Sequence, residues 1–294
     1  LKHLIQAWTK NFTSHQKGIA SVLITAVLWS SGGLFIKLVP LGPMQISFFR
    51  CSIAAAFFAI VFRKQVFYAN GFAIINSIIY GTVLTFFVIA TKTTTAANAV
   101  FLQATAPVYV LIFEPLINKT KYEVLNIIII SVCIIGMLLF FIGDITPGQQ
   151  TGNLIALASG AAFAALFLGL RFNKKEFQFS SIFYGNVLVA LVCIPYITNL
   201  PSLSIDVTGS LIFLGVFQIG AAYAIFAYGI KRVLAVEASI LSMIEPVLNP
   251  VWVFIGYGEI PSINAIIGGS IIISAIVIKI ILSERKNRRQ MSVG

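Results

Sequence analysis

Charge is scarce in this chain, and acidic charge is scarcest. Its 294 residues hold nine Asp and Glu against 20 Lys and Arg, and charged residues make up only 10% of the total. A soluble globular domain carries about 25%, so the solvated surface such a protein needs is missing. Histidine is nearly absent. His3 and His15 both lie in a polar N-terminal segment, which excludes a histidine-based metal or acid–base centre in the apolar body. The three cysteines, Cys51, Cys133 and Cys193, all sit in apolar runs without metal-site spacing. They read as small packing residues rather than a disulfide framework. No G-x-x-x-x-G-K-[ST] loop is present, so ATP hydrolysis is not expected. No nucleophile stands with a base, so no catalytic residue is assigned. No cofactor or metal is called for either.

What fills the chain instead is apolar sequence. Hydrophobic residues reach 59% and the mean hydropathy is +0.97. Apolar stretches recur at about residues 18–38, 43–62, 71–91, 94–117, 124–142, 151–170, 178–198, 208–229, 234–257 and 262–282. A helix needs about 20 apolar residues to cross roughly 30 Å of hydrocarbon. Backbone N–H and C=O groups cannot stay unpaired there, so each stretch must be helical. The fold class expected is an all-α membrane protein with ten transmembrane helices. The first 17 residues are polar and basic, and the first apolar run is too long for the core of a cleavable signal.

The sign of the charge supplies an orientation. With the N-terminus in the cytoplasm, all but three of the basic residues fall on the inner side. Lys37 and Lys92 lie opposite, and Arg50 lies within a span. This is the positive-inside bias, and it puts both termini in the cytoplasm. The net charge of +11 is therefore a topology signal. The basic tail at 283–294 can touch anionic lipid, and no nucleic-acid partner is expected.

The chain also repeats itself. Residues 92–136 align without gaps to 231–275: Lys92 with Lys231, Ala99 with Ala238, Pro107-Val108 with Pro246-Val247. Trp29 and Lys37 align with Phe163 and Arg171. Each half holds five spans, an odd number, so the second half is upside down relative to the first. The divisions expected are an N-terminal segment 1–17, repeat 1 at 18–142, repeat 2 at 151–282 and the tail 283–294. Inverted repeats are an architecture of secondary transporters, with the substrate site near the midplane between the halves.

Several short motifs lie in order along these spans: Leu28-Trp29-Ser30-Ser31-Gly32-Gly33, Phe49-Arg50, Ala106-Pro107, Ile244-Glu245-Pro246-Val247 and Gly258-Glu259. On a ten-span inverted repeat they resemble the drug/metabolite transporter superfamily, and within it the ten-helix EamA-type proteins. The resemblance covers essentially the whole chain. It implies a central cavity lined mainly by spans 1, 3, 4, 6, 8 and 9. It does not imply one substrate, because members carry amino acids, amines, sugar phosphates and other metabolites. Function must therefore be argued from the site.

Ionisable and polar groups inside a span are costly and are functional suspects. Glu245 lies midway along span 9, and helical spacing puts Ala238, Ser242, Glu245 and Asn249 on one face. This stripe reads as a cavity wall, with Glu245 binding a cationic group or carrying a proton. The bland alternative has Glu245 holding donors freed where Pro246 and Pro250 disrupt the helix. Arg50 lies about two turns inside span 2, suited to an anion or to backbone carbonyls. Gln103 aligns with Ser242 across the repeat. Trp29 stands beside Gly32 and Gly33, and with Phe163, Tyr80 and Tyr223 it can form an aromatic cage for an amine. A packed aromatic core is the bland equivalent. Lys92 and Lys231 lie near span ends, so the phosphate-binding role that basic residues have in the sugar-phosphate branch is not carried over to them; Glu114 and Glu237 lie near cytoplasmic ends, where interfacial pairing is the expected role.

The reading that follows is a secondary transporter of a bacterial inner membrane, moving a small polar metabolite by alternating access. An amino acid or related amine, exported on its own gradient or with protons through Glu245, is favoured. The alternatives are an organic-anion or phosphate-ester exchanger using Arg50, and a non-transporting membrane subunit or membrane-embedded enzyme. The sequence is compatible with a monomer and with a homodimer.

Overall fold

In the computed structural model, which describes residues 12–94, 96–140, 142, 150–198, 200, 202–257 and 262–293, the regular elements are all helical. The expectations attached to His3, to the loop around Asp144 and to Gly258-Glu259 lie outside these residues. The helices are α1 (Ser14–Ser30), α2 (Gly32–Leu38), α3 (Pro43–Phe62), α4 (Gly71–Thr93), α5 (Ala96–Gln103), α6 (Ala106–Asn118), α7 (Val124–Phe140), α8 (Gln150–Phe172) and α9 (Gln178–Cys193). They continue with α10 (Ile205–Phe213), a π-helical segment (Leu214–Ala221), α11 (Ala222–Gly229), α12 (Ala235–Ser242), α13 (Ile244–Tyr257) and α14 (Ile263–Val293).

Among the described residues, eight helical stretches are long and apolar enough to cross a membrane, several of them built from consecutive elements such as Ser14–Leu38 and Ile205–Gly229. The other two expected spans correspond to α7, which at 17 residues is shorter, and to the pair α12 and α13. Outward-facing side chains such as Ile128, Ile135, Leu138, Ile267 and Ile278 are apolar and exposed. That is the surface of a protein whose solvent there is lipid.

The helix ends follow from local chemistry. Thr13 and Gln16 form a reciprocal capping box at the start of α1. Pro43 opens α3, where a missing N–H costs nothing. The interruptions are equally local. Pro107 cannot donate to the carbonyl of Gln103, and Pro246 cannot donate to that of Ser242. The chain accordingly breaks at residues 104–105, between α5 and α6, and at Met243, between α12 and α13. The disruption expected at Pro246 thus lies just before it, while α13 runs on through Pro250.

Packing joins distant parts of the chain. The broadest helix pairs are α4 with α8, α4 with α9, α7 with α14, α3 with α9, α11 with α1, and α3 with the π segment. α5 and α6 lie on α8, α12 and α13 lie on α1, and α6 meets α12. At the α7–α14 crossing the two backbones nearly touch. A Cβ on Gly268 would lie 2.4 Å from both the Gly136 carbonyl oxygen and the Phe140 nitrogen. Those are backbone atoms and cannot swing aside. Gly268→Ala is therefore expected to pry α7 from α14 and destabilise the fold by about 1–3 kcal/mol, the usual range for overpacking. Thermal unfolding in detergent reads this as a lower midpoint; an unchanged midpoint would contradict the close approach.

At the end that carries the start of α1, polar side chains tie the helices together. His15 lies 2.8 Å from Glu237 on α12 and 2.8 Å from Glu284 on α14. Lys279 of α14 donates to Asn126 of α7 at 2.7 Å. Two expectations change here. His15 belongs to the first turn of a helix, where the capping box holds it, rather than to a polar tail. The helix α14 runs past the expected end of the last span to Val293, so the basic segment continues it, with no Gly or Pro to stop it. Glu237 meets the His15 ring. Glu114 instead accepts the backbone N–H groups of Ala235 and Val236 at 2.8 and 2.7 Å, capping α12. A carboxylate there meets the positive end of the helix dipole.

Candidate functional site

The two proline-induced breaks lie at the centre of the helix bundle, and two adjoining cavities meet beside them. One, of about 20 Å³, is lined in part by Gln103, Pro107, Phe163, Ser242, Glu245 and Pro246. The other, also of about 20 Å³, is lined in part by Trp29, Arg50, Phe163, Gln218, Tyr223 and Glu245. Gln103, Phe163 and Glu245 belong to both. Each has room for about one water molecule, so the polar groups lining them lie close together and a larger solute would need the helices around them to part.

The aromatic wall is a contiguous cluster around Trp29. Its ring centroid lies 5.2 Å from Phe163, 4.9 Å from Tyr223 and 5.0 Å from Phe226. Tyr80 stands behind this wall. It packs edge-on to Tyr223 at 4.7 Å, is fully buried, and receives a hydrogen bond from Asn186 at 3.0 Å. It lines neither cavity.

The polar groups divide into satisfied and unsatisfied. Gln103 donates to Ser159 of α8 at 2.7 Å, which fixes its amide. Ser242 bonds back to the Ala238 carbonyl at 2.9 Å. Arg50 is fully buried, yet its Nε and Nη1 have no hydrogen-bond partner. The Trp29 Nε1 and the Gln218 Oε1 are likewise buried and unpartnered. Glu245 accepts no hydrogen bond from the described residues and keeps partial exposure beside the cavities. Unpaired buried polar groups are rare in native proteins because each costs about 1–3 kcal/mol. Here a cation, a carboxylate, an indole and an amide line one cavity.

Gln218 carries no assignment from sequence reasoning, although a lone amide in an apolar span is a signal. It lies in the π-helical segment, where a wider turn shifts side-chain directions away from the regular helical wheel. Its amide also explains Gly32: a Cβ there would lie 2.7 Å from Gln218 Nε2. Gly33 faces Asn249 in the same way, at 3.3 Å from its Nδ2. Asn249 thus packs on the α1–α2 break and is not among the cavity-lining residues.

Basic residues at the span ends clasp backbone. Lys37 donates to the Thr94 carbonyl at 3.2 Å, and Lys92 to that of Val39 at 2.8 Å. In the second half, Arg171 donates to the Lys231 carbonyl at 3.2 Å. Lys231 donates to those of Arg171, at 2.6 Å, and Asn173.

Apolar helices long enough to cross a bilayer, two of the expected spans interrupted at proline breaks, and polar groups gathered where those breaks meet define a multi-pass membrane transporter. The sequence pattern of the EamA-like transporter family matches residues 16–142 and again 150–281, and the chain belongs to that family. An uncharacterized transporter of Archaeoglobus fulgidus is 25% identical, over 91% of this chain and 97% of its own length. The inner membrane transporter YicL of Salmonella typhimurium, also described as uncharacterized, is 23% identical over 94% and 99%. Solute carrier family 35 member G1 of Homo sapiens is 28% identical over 69% and 62%. A solved crystal structure shares the fold at a TM-score of 0.78 and 17% identity, covering 92% of this chain and 99% of that one.

Proposed function

We propose that this transporter is a secondary carrier for a small zwitterionic metabolite, an amino acid or close relative, in a bacterial inner membrane. The observation that carries the reading is that Arg50, with Nε and Nη1 unpartnered, and Glu245, which accepts no hydrogen bond from the described residues, line the same cavity. Arg50 and the Trp29 indole N–H would take a carboxylate, and Glu245 and the Gln218 carbonyl oxygen would take an ammonium. The Trp29–Phe163–Tyr223 wall adds cation–π attraction.

Ten spans in two inverted halves, 18–142 and 151–282, are the architecture we infer. The helix contacts support it. Exchanging the halves turns the pair α4–α8 into α11–α1, and α4–α9 into α3 with the π segment. The pairs α3–α9 and α7–α14 map onto themselves. The lysine and arginine clasps recur at aligned positions, Lys37 with Arg171 and Lys92 with Lys231. Rocking such halves about a fixed midplane site gives alternating access. The basic ends of the spans would face the cytoplasm.

Counterflow into proteoliposomes preloaded with unlabelled metabolites tests this. Zwitterionic amino acids should exchange. An amine lacking the carboxylate, or an acid lacking the amine, should compete about tenfold or more weakly, since each loses a charge-assisted bond of ~1.5–3 kcal/mol. The organic-anion reading uses Arg50 alone and predicts instead that acids without an amine compete best. No exchange of any class by folded protein would count against a carrier and send attention to a partner subunit.

A further inference from the structure

The largest cavity described lies away from the central site and shares no lining residue with it. It is a groove of about 840 Å³ lined in part by Lys64, Lys175, Glu176, Tyr68, Phe179 and Tyr228. Three segments meet there: the 3₁₀ turn Arg63–Val66 after α3, the 3₁₀ turn Lys175–Phe177 before α9, and the last turn of α11. All three lie at the ends of apolar helices, at a polar–apolar boundary.

Its chemistry is divided. Lys64 and Lys175 are exposed, and neither ammonium has an ion pair or hydrogen bond among the described residues. One acid, Glu176, shares the lining, so the groove is net basic. Arg232 adds a further cation beside it, 3.3 Å over the Tyr228 ring. The walls are aromatic: Tyr68 is 70% exposed, Tyr228 is 43% exposed, and Phe179 stacks on Phe62 at 4.0 Å. Toward the middle of α3, Ile60 and Val61 continue the apolar surface, 72% and 53% exposed. Basic groups at the helix ends, aromatic rings next, and bare aliphatic surface beyond follow the order of a phospholipid's own parts. Basic pockets between helices bind anionic headgroups in this way, and aromatic rings favour headgroup depth.

We propose that this groove binds an anionic glycerophospholipid. Its phosphate lies between Lys64 and Lys175, and its glycerol and upper acyl chains lie on the aromatic wall. A free phosphate ester would use the lysines but leave the walls uncovered. The occupant also has a mechanical consequence. One side of the groove comes from the α3–α4 linker and the other from α9 and α11, so a bound lipid ties the first half of the chain to the second at this end. Assigning it to the cytoplasmic leaflet rests on the sidedness proposed above; the binding itself does not.

The test compares the full chain in nanodiscs of phosphatidylcholine with nanodiscs that also contain phosphatidylglycerol, reading thermal midpoint and lipid retention by native mass spectrometry. The wild type should be stabilised by phosphatidylglycerol. The double variant Lys64→Gln/Lys175→Gln should unfold at the wild-type midpoint in phosphatidylcholine and lose most of the phosphatidylglycerol shift. Its retention of that lipid should fall about thirtyfold, from ~1 kcal/mol per lysine. Lys119→Gln/Lys121→Gln, which removes equal charge from another exposed loop, should keep both. An equal loss in that control would overturn the site in favour of diffuse attraction. So would a wild type indifferent to phosphatidylglycerol, or inorganic phosphate reproducing the shift in phosphatidylcholine alone.

Discussion

Glu245→Gln is expected to reduce counterflow by about two- to thirtyfold and to leave the protein folded. The substitution keeps size and shape but removes the charge. A hydrogen bond to a charged group is worth ~1.5–3 kcal/mol against about 1 kcal/mol for a neutral one, and 1.4 kcal/mol is tenfold in affinity. Stability should hold or rise, because Glu245 accepts no hydrogen bond from the described residues. The same variant separates two roles for the carboxylate. If Glu245 holds the substrate's ammonium, exchange without any proton gradient falls. If it carries a proton, counterflow survives and only uptake driven by a pH gradient disappears. Counterflow and gradient-driven uptake both at wild-type rates would remove Glu245 from the mechanism.

Much of this site is legible in the sequence because polar groups are so rare in the spans. Glu245, Arg50 and Gln103 stand out against aliphatic neighbours, and all three line the cavities. The breaks are legible too, since Pro107 and Pro246 each forbid one backbone bond at aligned positions. Periodicity is less able to say what lies in front of what. Tyr80 and Tyr223 are both aromatic and mid-span, yet Tyr223 meets the cavity and Tyr80 supports it from behind. Depth within a cluster depends on packing between distant helices, which a helical wheel does not contain. Gln218 is hidden for another reason. The π segment Leu214–Ala221 changes the turn angle under it, so a regular 3.6-residue wheel misdirects its side chain. Asn249 shares a face with Glu245 in sequence, but the α1–α2 break brings Gly33 against it. His15 reads as tail because the apolar run begins after it; the capping box that draws it into α1 involves Thr13 and Gln16, on either side.

Arg50→Met should separate function from stability more sharply than any other single change. Arg50 is fully buried, with Nε and Nη1 unpartnered and facing the cavity shared with Glu245. Holding a cation there without substrate costs folding free energy. Replacing buried ionic groups by apolar residues of similar volume is often stabilising, by about 1–4 kcal/mol. The thermal midpoint of Arg50→Met in detergent is therefore expected to rise. Substrate binding should fall by at least about thirtyfold, since losing one partner of a buried charge pair costs ~2–5 kcal/mol. Arg50→Lys should be intermediate. It keeps a positive charge but lacks the planar fork that takes both oxygens of a carboxylate. The opposite pattern, a lower midpoint with counterflow intact, would make Arg50 a structural residue satisfied by backbone and would leave the cavity with no cationic anchor. A rise in midpoint together with a loss of exchange is what a binding site kept at the expense of stability should give. In that case added substrate should narrow the difference, because a ligand that binds only the folded wild type stabilises it in proportion to the logarithm of its concentration.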